Sequence, residues 1–183
     1  MKISQEFVVA RSPGTVWDFF QDIPSVARCL PGAELTGTDE AGSYEGKLTA
    51  KLGPMAAAFE GTATVAADPA ARTARIEGRG VDRKGGSRGQ VAVDYSIQSD
   101  GDGTKVAVDA DVTLSGPAAQ FGRTGLINEM SRRLIEEFVA CLEATLAAAT
   151  PEEAAAVAAP EVKGLRLFFA ALWASIRKLF QKG

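Results

Sequence analysis

The sequence predicts an α+β fold in which a curved antiparallel sheet wraps around one long helix. Residues 33–114 alternate apolar and polar side chains, with turn signals at short intervals, as in a meander with one apolar face. A segment whose apolar residues follow helical spacing comes next. Two short segments near the N-terminus begin with residues that favour helix starts.

The N-terminal elements have clear boundaries. Residues 3–9 form the first predicted strand. Ser12 and Pro13 predict a helix, with Ser12 as the N-cap and Pro13 at the first helical position. A second helix is predicted to begin at the Asp-Ile-Pro sequence of residues 22–24 and to run to about Leu30.

About six strands are predicted between residues 33 and 114. The clearest is 105–114, in which the even-numbered residues are apolar and share one face. Residues 91–97 alternate in the same way. The Asp-Gly-Asp-Gly sequence at 100–103 predicts the hairpin turn between these two strands.

A long helix is predicted from the end of the sheet, at Ser115, to about Ala149. Its apolar positions, at helical spacing, are Ile127, Met130, Leu134, Phe138, Cys141 and Leu142. This helix must cover the apolar face of the sheet, with the two short helices near the other end. Such a helix-grip arrangement tends to leave a cavity between sheet and helix.

The composition excludes several classes of function. The 183 residues include no histidine, so a serine–histidine or cysteine–histidine nucleophile is impossible, as is a metal site that needs imidazole. The formal net charge of −3 argues against nucleic acid as a partner. With 46% hydrophobic residues, the chain can build a sizeable core in one domain with an appendage.

The state of the two cysteines, Cys29 and Cys141, is related to the cellular compartment in which the protein is located. We expect both to be buried free thiols, although the sequence leaves a bridge between them open. The N-terminus has no apolar signal region, which favours a cytosolic location.

The chain divides into a globular domain at 1–149, a linker at 150–160 and a C-terminal helix at 161–183. The linker is rich in Ala and Glu and bracketed by Pro151 and Pro160, which predicts a semi-rigid or partly helical segment. From Glu161 onward there are five basic residues and one acidic residue, so this part carries +4 and the rest of the chain carries −7.

The C-terminal helix is predicted to be amphipathic. Its apolar face contains Leu165, Phe168, Phe169, Leu172, Trp173, Ile176, Leu179 and Phe180, and its basic residues are Lys163, Arg166, Arg177, Lys178 and Lys182. The uncharged stretch between Arg166 and Arg177 is about 15 Å long, whereas a bilayer core needs about 30 Å. We therefore expect the helix to lie on a membrane surface. Folding back onto the domain or onto a partner is the alternative.

Six short motifs occur in order along residues 1–148. They are Val16-Trp17-Asp18-Phe19-Phe20-Gln21-Asp22, Cys29-Leu30-Pro31-Gly32-Ala33, Tyr44-Glu45-Gly46, Lys51-Leu52-Gly53-Pro54-Met55, Phe59-Glu60-Gly61 and Ala119-Gln120-Phe121-Gly122-Arg123. Together they resemble the CoxG family, which belongs to aerobic, molybdenum-type carbon monoxide dehydrogenases, within the START-like (SRPBCC) superfamily. The resemblance implies that residues 1–149 form a START-like, helix-grip domain with a deep apolar cavity and no catalytic motif.

The resemblance also implies a role beside a molybdenum-hydroxylase-type dehydrogenase, which such a protein attaches to the cytoplasmic membrane, where electrons pass to quinone. On this hypothesis the protein is a non-enzymatic accessory protein, peripheral on the inner face of the cell membrane. It has no covalent cofactor, and its apolar ligand is a quinone, with menaquinone as the specific candidate.

Two groups of residues are candidates for the ligand site. The cavity candidates are Met55, Phe59, Phe121, Leu126, Ile127, Met130 and Leu134. The candidates at the cavity mouth are Leu30, Pro31, Gln120 and Arg123. Core packing, turn chemistry and a solvated helix start are the simpler roles for these residues.

Two other functions stay open. START-like folds include cyclases and hydrolases, and an enzyme would need a buried acid or base such as Glu45, Glu60 or Tyr95. A pure membrane anchor with a filled core would bind no ligand. Separately, the basic, glycine-rich hairpin at 82–88 is predicted to be an exposed turn, with docking to an acidic protein or to lipid headgroups as the alternative.

Overall fold

The computed structural model describes residues 1–52, 55–123 and 126–158. Within them, one antiparallel sheet has seven strands in the order β1-β7-β6-β5-β4-β3-β2. The strands are β1 (Lys2–Val9), β2 (Ala33–Thr38), β3 (Tyr44–Leu52), β4 (Met55–Asp68), β5 (Thr73–Asp82), β6 (Ser87–Asp100) and β7 (Gly103–Ser115). The six-stranded meander that the alternation predicts is confirmed, and β1 joins it by pairing with β7.

Two short helices begin where the capping residues predict. The helices are α1 (Pro13–Gln21), α2 (Ile23–Cys29), α3 (Leu126–Ala147) and α4 (Pro151–Ala156), with a 3-10 helix at Gly116–Arg123. The Ser12 hydroxyl accepts a hydrogen bond from the Thr15 amide at 3.3 Å, and the Asp22 carboxylate accepts one from the Ser25 amide at 3.4 Å. These bonds satisfy amides that a helix start would otherwise leave unpaired.

The predicted long helix is shorter than expected at both ends. The chain leaves β7 through Gly116, whose φ of +73° suits glycine, and then makes the eight-residue 3-10 helix before α3 begins. At its other end α3 stops at Ala147 rather than at Ala149. A separate helix, α4, then begins with Thr150 as N-cap, because the Thr150 side chain accepts a hydrogen bond from the Glu153 amide.

The buried core lies between α1, the C-terminal half of α3 and one half of the sheet. Phe138 on α3 is its aromatic centre, with ring centroids 5.8 Å from Phe20, 6.2 Å from Phe19 and 6.3 Å from Phe7. Leu142 is fully buried beside it. Side chains buried to this extent each contribute about 1.5–3 kcal/mol to folding.

The expectation of two free thiols is wrong. Cys29, the last residue of α2, and Cys141 on α3 form a disulfide, with their Cα atoms 5.3 Å apart. Both residues are buried in the core, so the packing of α2 against α3 brings the sulfurs together. The bridge joins positions 112 residues apart and fixes α2 to the helix that the sheet wraps around.

The predicted linker begins as part of the domain. The amide of Ala149 donates to the Glu153 carboxylate at 3.0 Å, and Val157, just after α4, packs against the buried core. The predicted membrane-binding helix, including all of its named apolar and basic residues, lies outside the described residues.

Candidate functional site

The sheet has an inward face that packs on the helices and an outward face of polar side chains. Side chains alternate between the two faces along each strand. Because Ile76, Tyr95 and Val106 pack in the core, every second residue on their strands also faces inward. The predicted ligand cavity lies against the other part of this inward face, which β5 and β6 form where they extend beyond the core.

A row of four glycines crosses this part of the inward face. Gly46 on β3 pairs with Gly61 on β4, Gly61 pairs with Gly80 on β5, and Gly80 pairs with Gly89 on β6. We call these four residues the glycine row. Neighbouring strands lie about 4.8 Å apart, so the row is a strip about 14 Å wide that carries no side chains.

The glycine row also lets the sheet bend. A Cβ atom at Gly61 would overlap the carbonyl oxygen of Arg79 on the next strand, so the backbones of β4 and β5 approach too closely for any other residue. Such close approach is typical of strands that bend sharply. The glycine row therefore brings the backbones of β4 and β5 close together and adds no side chain of its own to this part of the inward face.

Two apolar side chains border the glycine row without entering the buried core. Phe59 on β4 is half-buried, and its ring atom Cε1 would lie 3.6 Å from a Cβ at Gly89. Leu48, which pairs with Phe59 on the inward face, is still 43% exposed. Phe59 and Leu48 therefore add apolar surface beside the glycine row.

The structure describes the side chains of three of the seven predicted cavity residues. Phe59, Met130 and Leu134 are all half-buried, the first on the sheet and the other two on α3. None of the three belongs to the buried core cluster within the described part of the chain. The side chains of the other four, Met55, Phe121, Leu126 and Ile127, lie outside what the structure describes.

The predicted mouth residues lie in two places. Leu30 follows α2 and packs against the buried core, and Pro31 after it is half-buried. The next residue, Gly32, fastens this loop to the sheet, because its carbonyl oxygen accepts a hydrogen bond from the Thr49 amide at 2.8 Å. Gln120 is exposed on the 3-10 helix, whereas the side chain of Arg123 lies outside the described set.

The three residues named for an enzymatic site do not converge. Glu45 and Glu60 are exposed on the outward face. Tyr95 faces inward, is 5% exposed, and its hydroxyl accepts a hydrogen bond from Gln21 Nε2 at 3.3 Å. Burial raises the pKa of the Tyr95 hydroxyl, and the bond from Gln21 opposes this to a lesser degree. A neutral tyrosine within an aromatic cluster acts as a core residue.

The outward face carries a separate polar groove of about 740 Å³. Arg75 lies in it and forms salt bridges with Asp94 at 2.8 Å and with Glu77 at 2.9 Å. These charges neutralise one another on an exposed surface, where such pairs contribute little to stability. The groove is thus lined by paired charges as well as by apolar residues such as Ile3 and Val91, unlike the apolar cavity that the sequence predicts.

Comparison with solved structures defines the fold class. A conserved protein from Geobacillus kaustophilus matches with a TM-score of 0.63 at 13% identity, over 75% of this chain and 90% of that protein. A protein from Thermus thermophilus matches with a TM-score of 0.57 at 14% identity, over 76% and 95%. The ZhuI aromatase/cyclase from Streptomyces sp. R1128 matches with a TM-score of 0.51 at 16% identity, over 81% and 97%. The protein has a START-like helix-grip fold, as predicted.

The family follows from the sequence itself. Residues 6–147 match the CoxG family, the G subunits of carbon monoxide dehydrogenase, and the chain belongs to this family. Comparison with curated proteins gave no match. In the part of the chain that the structure describes, no helix combines the length and the apolar character that crossing a membrane requires.

The glycine row was not predicted from the sequence, although the sequence contains a signal for it. Tyr44-Glu45-Gly46 and Phe59-Glu60-Gly61 repeat the same aromatic-Glu-Gly order, and the structure places their glycines opposite each other. The repeated motif can be interpreted only once the strand register is known, because only the pairing of the strands shows that the two glycines are neighbours.

Proposed function

We propose that this protein is a membrane-associated accessory protein of an aerobic molybdenum carbon monoxide dehydrogenase, and that it holds a quinone between its sheet and α3. Menaquinone is the specific candidate. On this proposal the protein recruits the dehydrogenase to the inner face of the cytoplasmic membrane and presents the quinone to it as electron acceptor. It assigns no catalytic residue to the chain, because electron transfer belongs to the cofactors of the partner.

The observation that carries the proposal is the contrast within the inward face. Phe138 and its neighbours fill one half, whereas the glycine row takes the place of side chains in the other. Phe59 and Leu48 line that second half with apolar surface. Ligand sites are mostly apolar concavities, and a quinone ring with its isoprenoid chain is an apolar ligand.

Family membership supports the choice of partner. The family is named for a component of carbon monoxide dehydrogenase, and the match covers residues 6–147. An accessory role beside that enzyme is the simplest function for a small chain that contains no histidine.

The C-terminal sequence supports the membrane association. Five basic residues and eight large apolar residues separate onto two faces when residues 161–183 are placed on a helix. Each basic residue near an anionic leaflet contributes about 1 kcal/mol before screening. Burial of Phe168 and Trp173 in the interface adds an apolar contribution.

The ligand part of the proposal is tested by extraction. Full-length protein purified from its native host without detergent is expected to release a quinone into organic solvent, identified by mass spectrometry. If the purified protein contains no quinone even after incubation with menaquinone, the protein is a pure membrane anchor that binds no ligand.

A matched pair of variants tests whether the quinone binds at the glycine row. A Cβ at Gly89 would lie 3.5 Å from Leu114 Cδ2, an ordinary contact, so Gly89→Leu adds its remaining atoms to the strip without an initial clash. We expect this variant to lose most of the bound quinone. Gln90→Leu adds an apolar side chain to the outward face of the same strand and is expected to retain it.

The membrane part is tested separately by sedimentation with liposomes. Removing residues after Pro160, or combining Phe168→Glu with Trp173→Glu, is expected to move the protein to the supernatant. The melting temperature should change little, since every core residue in the described part of the chain precedes residue 158. A large drop in melting temperature would favour a tail that packs on the domain.

A further inference from the structure

We infer that the β5–β6 hairpin is a second contact with the anionic membrane surface, and that it turns the glycine-row end of the domain toward the lipid. We call residues 82–88 the basic hairpin. This inference rests on the proposed membrane association and adds to it the orientation of the domain.

The basic hairpin is positively charged on an otherwise acidic domain. Arg83, Lys84 and Arg88 are all exposed, and within the described residues none of them makes a salt bridge. Its one acidic residue, Asp82, is only 4% exposed. The Asp82 carboxylate instead accepts hydrogen bonds from the amides of Lys84 at 3.1 Å and Gly85 at 2.9 Å. The surface of the hairpin therefore presents positive charge alone.

The opposite end of the sheet is negatively charged. The three turns there, at 39–43, 68–72 and 100–103, together hold five acidic residues and one basic residue, Arg72. The ten residues of β5 separate the two ends by about 33 Å. This distance is several times the screening length of about 8 Å at physiological salt. An anionic surface therefore attracts the hairpin end and repels the other end independently.

The basic hairpin is held in a fixed position. The Ser87 hydroxyl, in a residue only 2% exposed, accepts a hydrogen bond from the Ala118 amide at 3.1 Å. A Cβ at Gly116 would lie 2.5 Å from the Gly86 carbonyl oxygen, so the 3-10 helix and the hairpin are in close backbone contact. The cations are thus presented from a rigid support, which reduces the entropy lost on binding.

The hairpin end is also the end nearest the glycine row. Gly80 and Gly89 lie two residues from the hairpin strand ends, Asp82 and Ser87, or about 7 Å along the strands. A domain that contacts lipid through the hairpin therefore holds the proposed quinone site close to the bilayer from which an apolar ligand must come.

Lipid fits this surface better than an acidic protein. Residues 82–88 contain no aromatic residue and no methionine, so of the side chains that usually anchor protein interfaces they offer only two arginines. Attraction to an anionic leaflet needs only basic residues near the surface. The basic C-terminal helix would act on the same leaflet.

The test compares two double variants of the full-length chain that change the net charge equally. Arg83→Gln with Lys84→Gln neutralises the basic hairpin, and Arg11→Gln with Arg72→Gln removes two exposed cations from the opposite end. Sedimentation is measured with phosphatidylcholine vesicles and with vesicles containing 30% phosphatidylglycerol, the composition serving as the probe. We expect the hairpin variant to bind the anionic vesicles about tenfold more weakly, and the control to change less than twofold.

The outcomes separate this inference from the proposed function. If wild-type protein binds but both double variants weaken equally, or neither does, the hairpin inference is overturned while membrane association stands. If wild-type protein binds no vesicle, both fail. If the hairpin variant binds vesicles normally but no longer co-purifies with the dehydrogenase, the hairpin is a protein docking site and the lipid assignment is wrong.

Orientation is measured directly by quenching from lipid headgroups. A fluorophore on Ser115→Cys, beside Arg88, should be quenched strongly, and one on Ala70→Cys, in a turn at the opposite end of the sheet, should not. Equal quenching at the two sites would contradict the orientation even if the charge variants behave as expected.

Discussion

The two halves of the inward face are built from the same strands but differ in how their side chains pack. In the core half, Tyr95 and Ile97 on β6 meet the aromatic cluster around Phe138 and are almost fully buried. Further along the same strand, Gly89 offers no side chain and Phe59 lies beside it half-exposed. The described side chains thus pack tightly in one half, and we propose that the other half holds the ligand. On this proposal, stability and ligand binding can be altered separately.

The largest expected effect is on the core half. Phe138→Ala should lower the free energy of unfolding by about 3–5 kcal/mol, because it removes three aromatic contacts and leaves a cavity. Phe59→Ala should lower it by only about 1 kcal/mol, because that side chain is half-exposed. Urea denaturation measures both. Equal losses in the free energy of unfolding would contradict the difference between the two halves, since the glycine-row half would then be packed like a core.

The disulfide should account for the next largest effect. Replacing Cys29 and Cys141 together by alanine is expected to lower the free energy of unfolding by about 2–4 kcal/mol. Reducing the wild-type protein with dithiothreitol should cause a similar loss, and the double variant should not respond to the reductant. Quinone content should persist in the variant, because the bridge lies within the core half. Loss of quinone there would show that the two halves are coupled.

The smallest effect concerns Tyr95 at alkaline pH. Burial raises the pKa of its hydroxyl in the folded protein above the ordinary value of about 10. The folded state therefore binds this proton more tightly than the unfolded state does. That contribution to stability is complete below about pH 10 and is lost as the pH rises through the raised pKa.

Tyr95→Phe should accordingly lose less stability than wild type as the pH rises above about 10. Urea denaturation at several alkaline pH values measures this, and absorbance at 295 nm follows the ionisation itself. A Tyr95 hydroxyl that ionises as freely as an exposed phenol would mean that water enters the core half.

Most of the fold could be predicted from local sequence. Ser12 caps its helix as predicted, the second helix begins at residues 22–24 as predicted, and the even-numbered residues of 105–114 share the inward face because side chains in a strand alternate. The hairpin at 100–103 is where its Asp and Gly residues predict it. These features depend on neighbours only a few residues apart, and a single sequence contains that information.

The features that the sequence did not predict depend on distant pairs. The disulfide joins positions 112 residues apart, and nothing local at Cys29 or Cys141 distinguishes a bridge from two buried thiols. The glycine row exists only because four strands pair in one register. The bond from the Ala118 amide to Ser87, which holds the basic hairpin, likewise depends on tertiary packing.

The pairing of β1 with β7 has a consequence for the order of folding. The N-terminal amine of Met1 donates to the carbonyl oxygen of Val112, 111 residues later, at 2.8 Å. At a synthesis rate of about 5–20 residues per second, the first strand waits roughly 5–20 seconds for its partner. During that interval β1 is an unpaired edge with apolar residues on one side, a form of chain that chaperones recognise. Strand β1 is thus made well before β7, the strand with which it pairs.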